Sequence, residues 1–121
     1  MRLLETVTMI VKNPPYGDEN VWNALRLALT LVSASIDMDV NIFLLGDAVS
    51  AAKKGQKTPE GYYNLERMLS DLVRQGAKVS VCGTCTQARG LNKEDLIEGV
   101  TVGSMMGLAH WVKESSKILS F

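Results

Sequence analysis

The sequence predicts a single α/β domain whose mostly parallel sheet is covered by helices on both faces. Short apolar runs rich in β-branched residues alternate along the chain with longer segments whose apolar residues recur every three or four positions. Clusters of Gly, Pro, Asn and Asp separate these segments. Strands that are buried on both faces are continuously apolar, so the pattern favours a three-layer sandwich over residues 1–121 without an internal boundary.

The first half of the chain contains two predicted strands and one helix. Thr6–Val11 is a β-branched run that ends at Lys12–Gly17, a turn cluster whose two prolines suit neither a helix nor a central strand. Asp18 is the expected N-cap of the following helix, and Val40–Leu45 is the second buried strand. Helical spacing defines an apolar stripe on the first helix, formed by Val21, Trp22, Leu25, Ala28, Leu29 and Val32.

The second half continues the alternation after Lys53–Gly61, which is predicted to be a mobile polar loop. The next helix ends at Gly76, and its apolar face is formed by Tyr62, Leu65, Met68, Leu69, Leu72 and Val73. The third strand is Lys78–Val81. The remaining predicted elements are a short polar turn or helix over Asn92–Glu98, a strand over Val100–Val102, a helix over Ser104–Ser115 and a last strand over Lys117–Phe121.

Composition and charge exclude several classes of partner. The 13 basic and 13 acidic residues balance, and no long Lys/Arg run could follow a phosphate backbone, so nucleic-acid binding is not expected. The apolar stretches are too short to span a membrane, and Glu5 interrupts Met1–Val11, so neither a membrane segment nor a signal peptide is expected. Two cysteines without an export signal indicate the reducing cytoplasm, where a close pair is more often catalytic or metal-binding than structural.

Cys82 and Cys85 are the strongest candidates for chemistry. They follow the third strand, and the small and polar residues after Cys82 predict a tight turn and a new helix. The positive end of a helix favours thiolate, which is the nucleophilic form. We expect Cys82 to be the more reactive thiol, because it ends the strand beside the small Gly83. Arg89, about two helical turns further on, is expected either to stabilise the thiolate or to form a surface salt bridge.

The cysteine pair admits several interpretations. A zinc site needs about four ligands, but the chain offers two thiols and the distant His110, so no metal is expected. A thioredoxin-like dithiol lacks its usual proline partner, since the three prolines lie in early loops. Two interpretations remain: a nucleophilic thiol that accepts sulfur as a persulfide, or small cysteines that only fill a turn. In an open parallel sheet the loops Asn13–Asp18 and Gly46–Gly61 would meet the cysteine turn at one edge.

Several separate motifs stand in order along the chain. They are Pro15-Tyr16-Gly17, Asn23–Ala28, Phe43–Val49, Gly55-Gln56-Lys57 with Gly61-Tyr62, Cys82–Thr86 with Arg89-Gly90, and Lys117–Phe121. In this combination the chain resembles the DsrE/DsrF-like sulfur-relay family, most closely its small YchN-type members, over nearly its whole length. The resemblance implies a Rossmann-like fold with a five-stranded sheet, a homohexamer built from trimers, and a cysteine at the end of the third strand that carries sulfane sulfur.

The resemblance also assigns roles to single residues. The family's sulfur-accepting cysteine lies seven residues before an arginine that is followed by glycine, and Cys82, Arg89 and Gly90 match that spacing. Cys85 departs from the better-characterised relay members. It would either resolve the persulfide into a disulfide with release of sulfide, or serve only as a residue at the helix start. The implied partners are protein donors and acceptors of sulfur, and no cofactor is expected.

The last predicted helix is apolar on too many sides to face solvent. Met105, Met106, Leu108, Trp111 and Val112 lie close together in it, so one side is expected to meet another subunit. We therefore expect a homo-oligomeric, cytoplasmic sulfur carrier or sulfurtransferase-type relay protein. The alternative is a non-catalytic oligomeric binding or redox-switch module of the same fold.

Overall fold

The computed structural model describes residues 5–121. Residues 1–4 lie outside the described residues. They belong to Met1–Val11, the segment that was predicted not to be a signal peptide. The strands are β1 (Thr6–Val11), β2 (Asp39–Leu44), β3 (Lys78–Cys82), β4 (Thr101–Gly103) and β5 (Lys117–Ser120). The helices are α1 (Asn20–Leu31), α2 (Leu65–Arg74), α3 (Gly83–Ala88) and α4 (Met105–Glu114), with short 3₁₀ segments at Gly46–Ala52 and Lys93–Asp95.

The five strands form one sheet in the order β4-β3-β2-β1-β5, and every neighbouring pair is parallel. From β1 to β4 each new strand is added on the same side of the previous one, whereas β5 returns to the other side of β1. Crossovers between parallel strands are right-handed, so the reversed connection through α4 passes over the opposite face of the sheet. Accordingly α1 packs against α2, and α4 packs against β1. The predicted three-layer sandwich is confirmed, and the sheet is entirely parallel.

The face covered by α1 and α2 contains the main hydrophobic core. Alternate residues of a strand share a face, and the register aligns one such set across three neighbouring strands. All of its members are apolar and at most 2% exposed: Val7, Met9, Val11, Val40, Ile42, Leu44, Val79 and Val81. The helices add Val21, Ala24, Leu25, Ala28, Leu65, Leu69 and Leu72.

The face covered by α4 is more polar and less completely buried. Thr8, Asn41 and Ser80 are buried on it, and the Thr8 hydroxyl lies 2.6 Å from that of Ser115. Trp111 of α4 packs edge-on against Phe43 at a centroid distance of 6.1 Å. Leu108 is the buried residue of α4. Apolar side chains of this region that remain exposed are Met105, Met106, Val112 and Ile118.

Two helix starts differ from the sequence prediction. Glu19, not Asp18, occupies the N-cap position of α1, and its side chain makes no capping bond. The Asp18 carboxylate instead accepts the Asn20 N–H at 2.9 Å. Helix α2 begins only at Leu65, after Asn64, whose side chain accepts a backbone N–H of the first turn. Tyr62, predicted to lie on the helix, stacks on Tyr63 before it begins.

The loop Lys53–Gly61 is more extensively bonded than its composition predicts. The Gln56 side-chain amide donates to the Lys53 carbonyl at 2.9 Å, and the Gln56 backbone N–H donates to the Glu66 carboxylate at 2.8 Å. The Tyr16 hydroxyl donates to the Gln56 side-chain oxygen. Through this contact the loop after β1 and the loop before α2 support each other at the carboxyl edge of the sheet. Within residues 5–121, no helix is long and apolar enough to cross a membrane.

Candidate thiol site at the end of β3

Both cysteines lie where β3 passes directly into α3. Cys82 is the last residue of the strand and occupies the N-cap position, and Cys85 lies in the first turn of the helix. Both are free thiols. The β-branched residues of the strand and the small Gly83 at the turn produce this junction, as the sequence predicts. A Cβ at Gly83 would approach the carbonyl oxygen of Gly103 in β4 at 3.2 Å, so this position has little room for a larger residue.

The surroundings of the two sulfurs differ. Cys82 is 7% exposed, whereas Cys85 is half-buried. The Sγ atom of Cys85 accepts the backbone N–H of Gly46 at 3.3 Å. Gly46 follows β2, the neighbour of β3 in the sheet, and its φ of +57° is a left-handed conformation that glycine adopts without strain. Two adjacent strand ends therefore meet at the sulfur of Cys85.

The local environment moves the pKa values of the two thiols in opposite directions. Burial raises the pKa of Cys82, and its side-chain hydrogen bond with Cys85 raises it further; the backbone N–H groups of Cys85 and Thr84 lower it to a smaller extent. The pKa of Cys85 is lowered, first by the hydrogen bond with Cys82 and then by the Gly46 N–H, with a smaller contribution from the charge of Arg89. The hydrogen bond between the two thiols therefore favours ionisation of Cys85 over ionisation of Cys82.

These pKa shifts are opposite to those that the expected higher reactivity of Cys82 assumes. A helix start was expected to favour thiolate at Cys82, but no side-chain capping bond forms at that residue. The helix that follows has only six residues. Removal of the Cys82 sulfur from water outweighs the nearby N–H groups, since burial penalises the charged form of a thiol.

Arg89 forms the salt bridge that was one of its two predicted roles. Its Nε and Nη2 atoms donate to the same carboxylate oxygen of Asp47 at 3.0 and 2.8 Å. Its Nη1 atom donates to the backbone carbonyl of Cys85 at 3.0 Å. The guanidinium therefore also lies near enough to lower the pKa of Cys85. The predicted salt bridge is present, and the charge of Arg89 acts on Cys85 rather than on the Cys82 thiolate that the prediction assumed.

Gly46 and Asp47 lie in the loop Gly46–Gly61, which was predicted to meet the cysteine turn, but neither residue was singled out from the sequence. In the sequence they end the second strand, and no nucleophile or metal ligand stands beside them. Topology predicts the position of the loop, because the carboxyl ends of neighbouring parallel strands converge at one edge, but it does not select single residues within the loop. The other predicted loop, Asn13–Asp18, contacts Gln56 and Tyr63 rather than either cysteine.

Three clefts on the described part of the chain lie away from the thiols. Two clefts of about 550 and 510 Å³ flank α2, a third of about 520 Å³ lies along α1, and the residues that line them include neither cysteine. Among residues 5–121, no group of three or more His, Cys, Asp or Glu side chains could hold a metal ion. His110 is exposed on α4.

The fold and the site define a Rossmann-like α/β protein with a pair of free thiols at the carboxyl edge of its parallel sheet. The family model described as DsrE/DsrF-like matches residues 5–121, and the chain belongs to this family. The resemblance stated from the motifs is thereby confirmed.

Individual relatives support the same assignment. YchN of Escherichia coli is 39% identical over 118 residues, which cover 98% of this chain and 100% of YchN. Its crystal structure matches with a TM-score of 0.91 over 98% of this chain and 100% of that one. The uncharacterized protein MJ0989 of Methanocaldococcus jannaschii is 45% identical, covering 94% and 97% of the two chains. MTH1491 of Methanobacterium thermoautotrophicum, a protein of unknown function, shares the fold at 18% identity, with a TM-score of 0.73 and coverage of 95% and 98%.

Proposed function

We propose that this protein is a persulfide carrier of the sulfur-relay type, in which Cys82 and Cys85 bind sulfane sulfur. The observation that carries the proposal is the paired arrangement of the two thiols. Cys85 is half-buried and receives the Gly46 N–H at 3.3 Å, and its pKa is lowered first by the hydrogen bond with the neighbouring Cys82 thiol. Membership of the DsrE/DsrF-like family supports the same chemistry.

The proposed cycle begins with attack by the Cys85 thiolate on the outer sulfur of a donor persulfide. The new S–S bond forms as the donor's S–S bond breaks, and the donor leaves as a thiolate, so no external oxidant or reductant is consumed. Cys82 can then attack the outer sulfur held on Cys85, and the proton of Cys82 passes to the released Cys85 sulfur. This second exchange places the sulfur on the residue that the family spacing assigns as the carrier. Both steps follow the rules of thiol–disulfide exchange.

The surroundings of the pair favour a protein as donor and acceptor. The three clefts of about 510 to 550 Å³ lie along α1 and α2 and are not lined by the cysteines, whereas Cys85 is half-buried at the carboxyl edge of the sheet. A persulfide on a mobile segment of a partner could reach a sulfur in this position. We assign the reaction to the cytoplasm, where free thiols are kept reduced.

We further propose that the protein acts as a homo-oligomer, with a hexamer as the form implied by the family resemblance. Met105 and Met106 of α4 are 62% and 69% exposed, and Ile118 of β5 is exposed on the same face of the sheet. A monomer rarely exposes so many large apolar side chains together. A second copy of the chain would bury them.

The sulfur-carrier proposal is tested by incubation with glutathione persulfide and intact-mass measurement. The wild type should gain the mass of one sulfur atom, and the adduct should disappear on treatment with a reducing thiol. The matched control is the double variant Cys82→Ser, Cys85→Ser, which keeps the size of both side chains and should gain nothing. The single variant Cys85→Ser should take up sulfur more slowly than Cys82→Ser.

Two results would contradict the proposal. Equal uptake by the wild type and the double variant would mean that the cysteines are not the acceptors. A wild type that takes up no sulfur but forms a Cys82–Cys85 disulfide with a mild oxidant would favour the redox-switch alternative.

A further inference from the structure

The Asp47–Arg89 ion pair joins the two backbone segments that meet at the sulfur of Cys85. Asp47 belongs to the segment after β2, and Arg89 is the C-cap of α3. The two residues are 42 positions apart in the chain. Both side chains are substantially exposed, at 63% for Asp47 and 33% for Arg89. The Coulombic energy of such an exposed pair is small, so its geometry is the more informative property.

One guanidinium holds both sides of the Gly46–Cys85 contact. Its Nε and Nη2 atoms bind the carboxylate of Asp47, the residue next to the N–H donor Gly46. Its Nη1 atom binds the main-chain carbonyl of Cys85, the residue that carries the acceptor sulfur. Donor and acceptor are thus connected through Arg89 as well as through their own 3.3 Å contact. The planar, multi-donor shape of arginine permits this arrangement, which lysine cannot reproduce.

We propose that Asp47 and Arg89 are positioning residues that hold the Gly46 N–H on the Cys85 sulfur and thereby make Cys85 the first thiol to react. The inference rests on the proposed function insofar as it names the attacking thiol of the carrier. Its physical content is independent of sulfur transfer, because the rate at which the thiolate attacks any electrophile reports the same property.

An effect of charge alone and an effect of positioning predict opposite changes in the pKa of Cys85 when the Asp47 carboxylate is removed. The Arg89 charge lowers the pKa of Cys85, and the Asp47 carboxylate partly neutralises that charge. If charge alone mattered, removal of the carboxylate would lower the pKa of Cys85 further. If the ion pair positions the Gly46 N–H, its removal loosens a hydrogen bond that favours the thiolate, and the pKa of Cys85 rises.

The experiment uses full-length protein carrying Cys82→Ser, so that Cys85 is the single thiol and the neighbouring hydroxyl remains a hydrogen-bond donor. The rate of reaction with iodoacetamide is measured as a function of pH. In this background Asp47→Asn should move the midpoint of the profile to higher pH and slow alkylation at pH 7 severalfold, up to about tenfold for a hydrogen bond to a charged group. Arg89→Lys keeps the charge but loses the planar guanidinium that donates to both Asp47 and the Cys85 carbonyl, and it should move the midpoint in the same direction.

Asp71→Asn is the matched control, since it removes a surface ion pair with Arg74 within α2. It should leave the profile unchanged. In the protein with both cysteines, limiting iodoacetamide followed by peptide mapping should label Cys85 before Cys82.

The proposal is overturned if Asp47→Asn leaves the midpoint of the pH profile in place or lowers it. It is also overturned if Arg89→Lys has the same midpoint as the Cys82→Ser protein, or if Cys82 is labelled before Cys85. These results would leave persulfide uptake by the pair standing. Conversely, if the midpoints shift as expected but the wild type takes up no sulfur, the carrier function is rejected and the positioning role is retained.

Discussion

On the face of the sheet covered by α1 and α2, the inward-pointing residues of β1, β2 and β3 are all apolar. On the face covered by α4, the same strands present Thr8, Asn41 and Ser80. Several large apolar side chains near α4 stay exposed, whereas the strand residues of the first face are almost completely buried. One face of the sheet therefore contains a fully buried core, whereas the other face is incompletely buried in the monomer.

The connection order of the strands explains this difference. Three strands are added in one direction, so their crossovers accumulate on one face, and the single reversal before β5 sends α4 to the other. Within the described part of the chain, α4 is the one helix that packs over the second face, and its ten residues cannot cover five strands. The apolar residues left over are the surface that we assign to contacts between copies.

The largest effect is expected from a cavity in the fully buried core. Leu69 of α2 is fully buried, and Leu69→Ala should lower the free energy of unfolding by about 2–5 kcal/mol. Leu27→Ala on the outer side of α1, where Leu27 is 37% exposed, is the control and should change it by less than about 0.5 kcal/mol. Urea denaturation measures both. Equal losses would mean that the face under α1 and α2 is not the main core.

A charge on the α4 face should act on assembly rather than on folding. Met106→Lys replaces a 69% exposed side chain, so the stability of the monomer should hardly change, while a lysine buried between subunits without a partner weakens association. Light scattering at micromolar concentration should show an oligomer for the wild type and a smaller mass for the variant. Leu27→Lys on α1 should keep the wild-type mass. A monomeric wild type would disprove the assignment of this face.

The smallest effect concerns the polar residues beneath α4. The Thr8 hydroxyl lies 2.6 Å from that of Ser115 and accepts the Asn41 side-chain amide at 3.4 Å. Thr8→Val keeps the shape but leaves these partners without their bond, which should cost about 1–3 kcal/mol in thermal or urea unfolding. Thr30→Val on the exposed side of α1, whose hydroxyl bonds only to the carbonyl of its own helix, should have a smaller effect. If Thr8→Val leaves the free energy of unfolding unchanged, water readily replaces the lost hydrogen bonds.

Much of the fold was predictable, because strands and helices depend on local patterns. The β-branched run of β1 and the stripe of α1 are such patterns, and Gly76, with a φ of +96°, lies just after α2 as predicted. The helix starts were less predictable, since a cap depends on one side-chain bond, and Asp18 and Asn64 are equally good candidates by residue type. The bonding of the loop around Gln56 could not be predicted, because its partners Tyr16 and Glu66 come from other elements.

The sequence by itself determined where the reactive residues stand: a strand that ends at Cys82, a small residue after it, and a second cysteine in the first turn of the next helix. Only the tertiary structure shifts the pKa values of the two thiols in opposite directions. The contacts that lower the pKa of Cys85 include the Gly46 N–H, 39 residues away in the chain, and the burial that raises the pKa of Cys82 comes from elements packed around it. A thiol's pKa depends on all charges, dipoles and water near the sulfur, and parallel-sheet topology brings those together from distant parts of the chain.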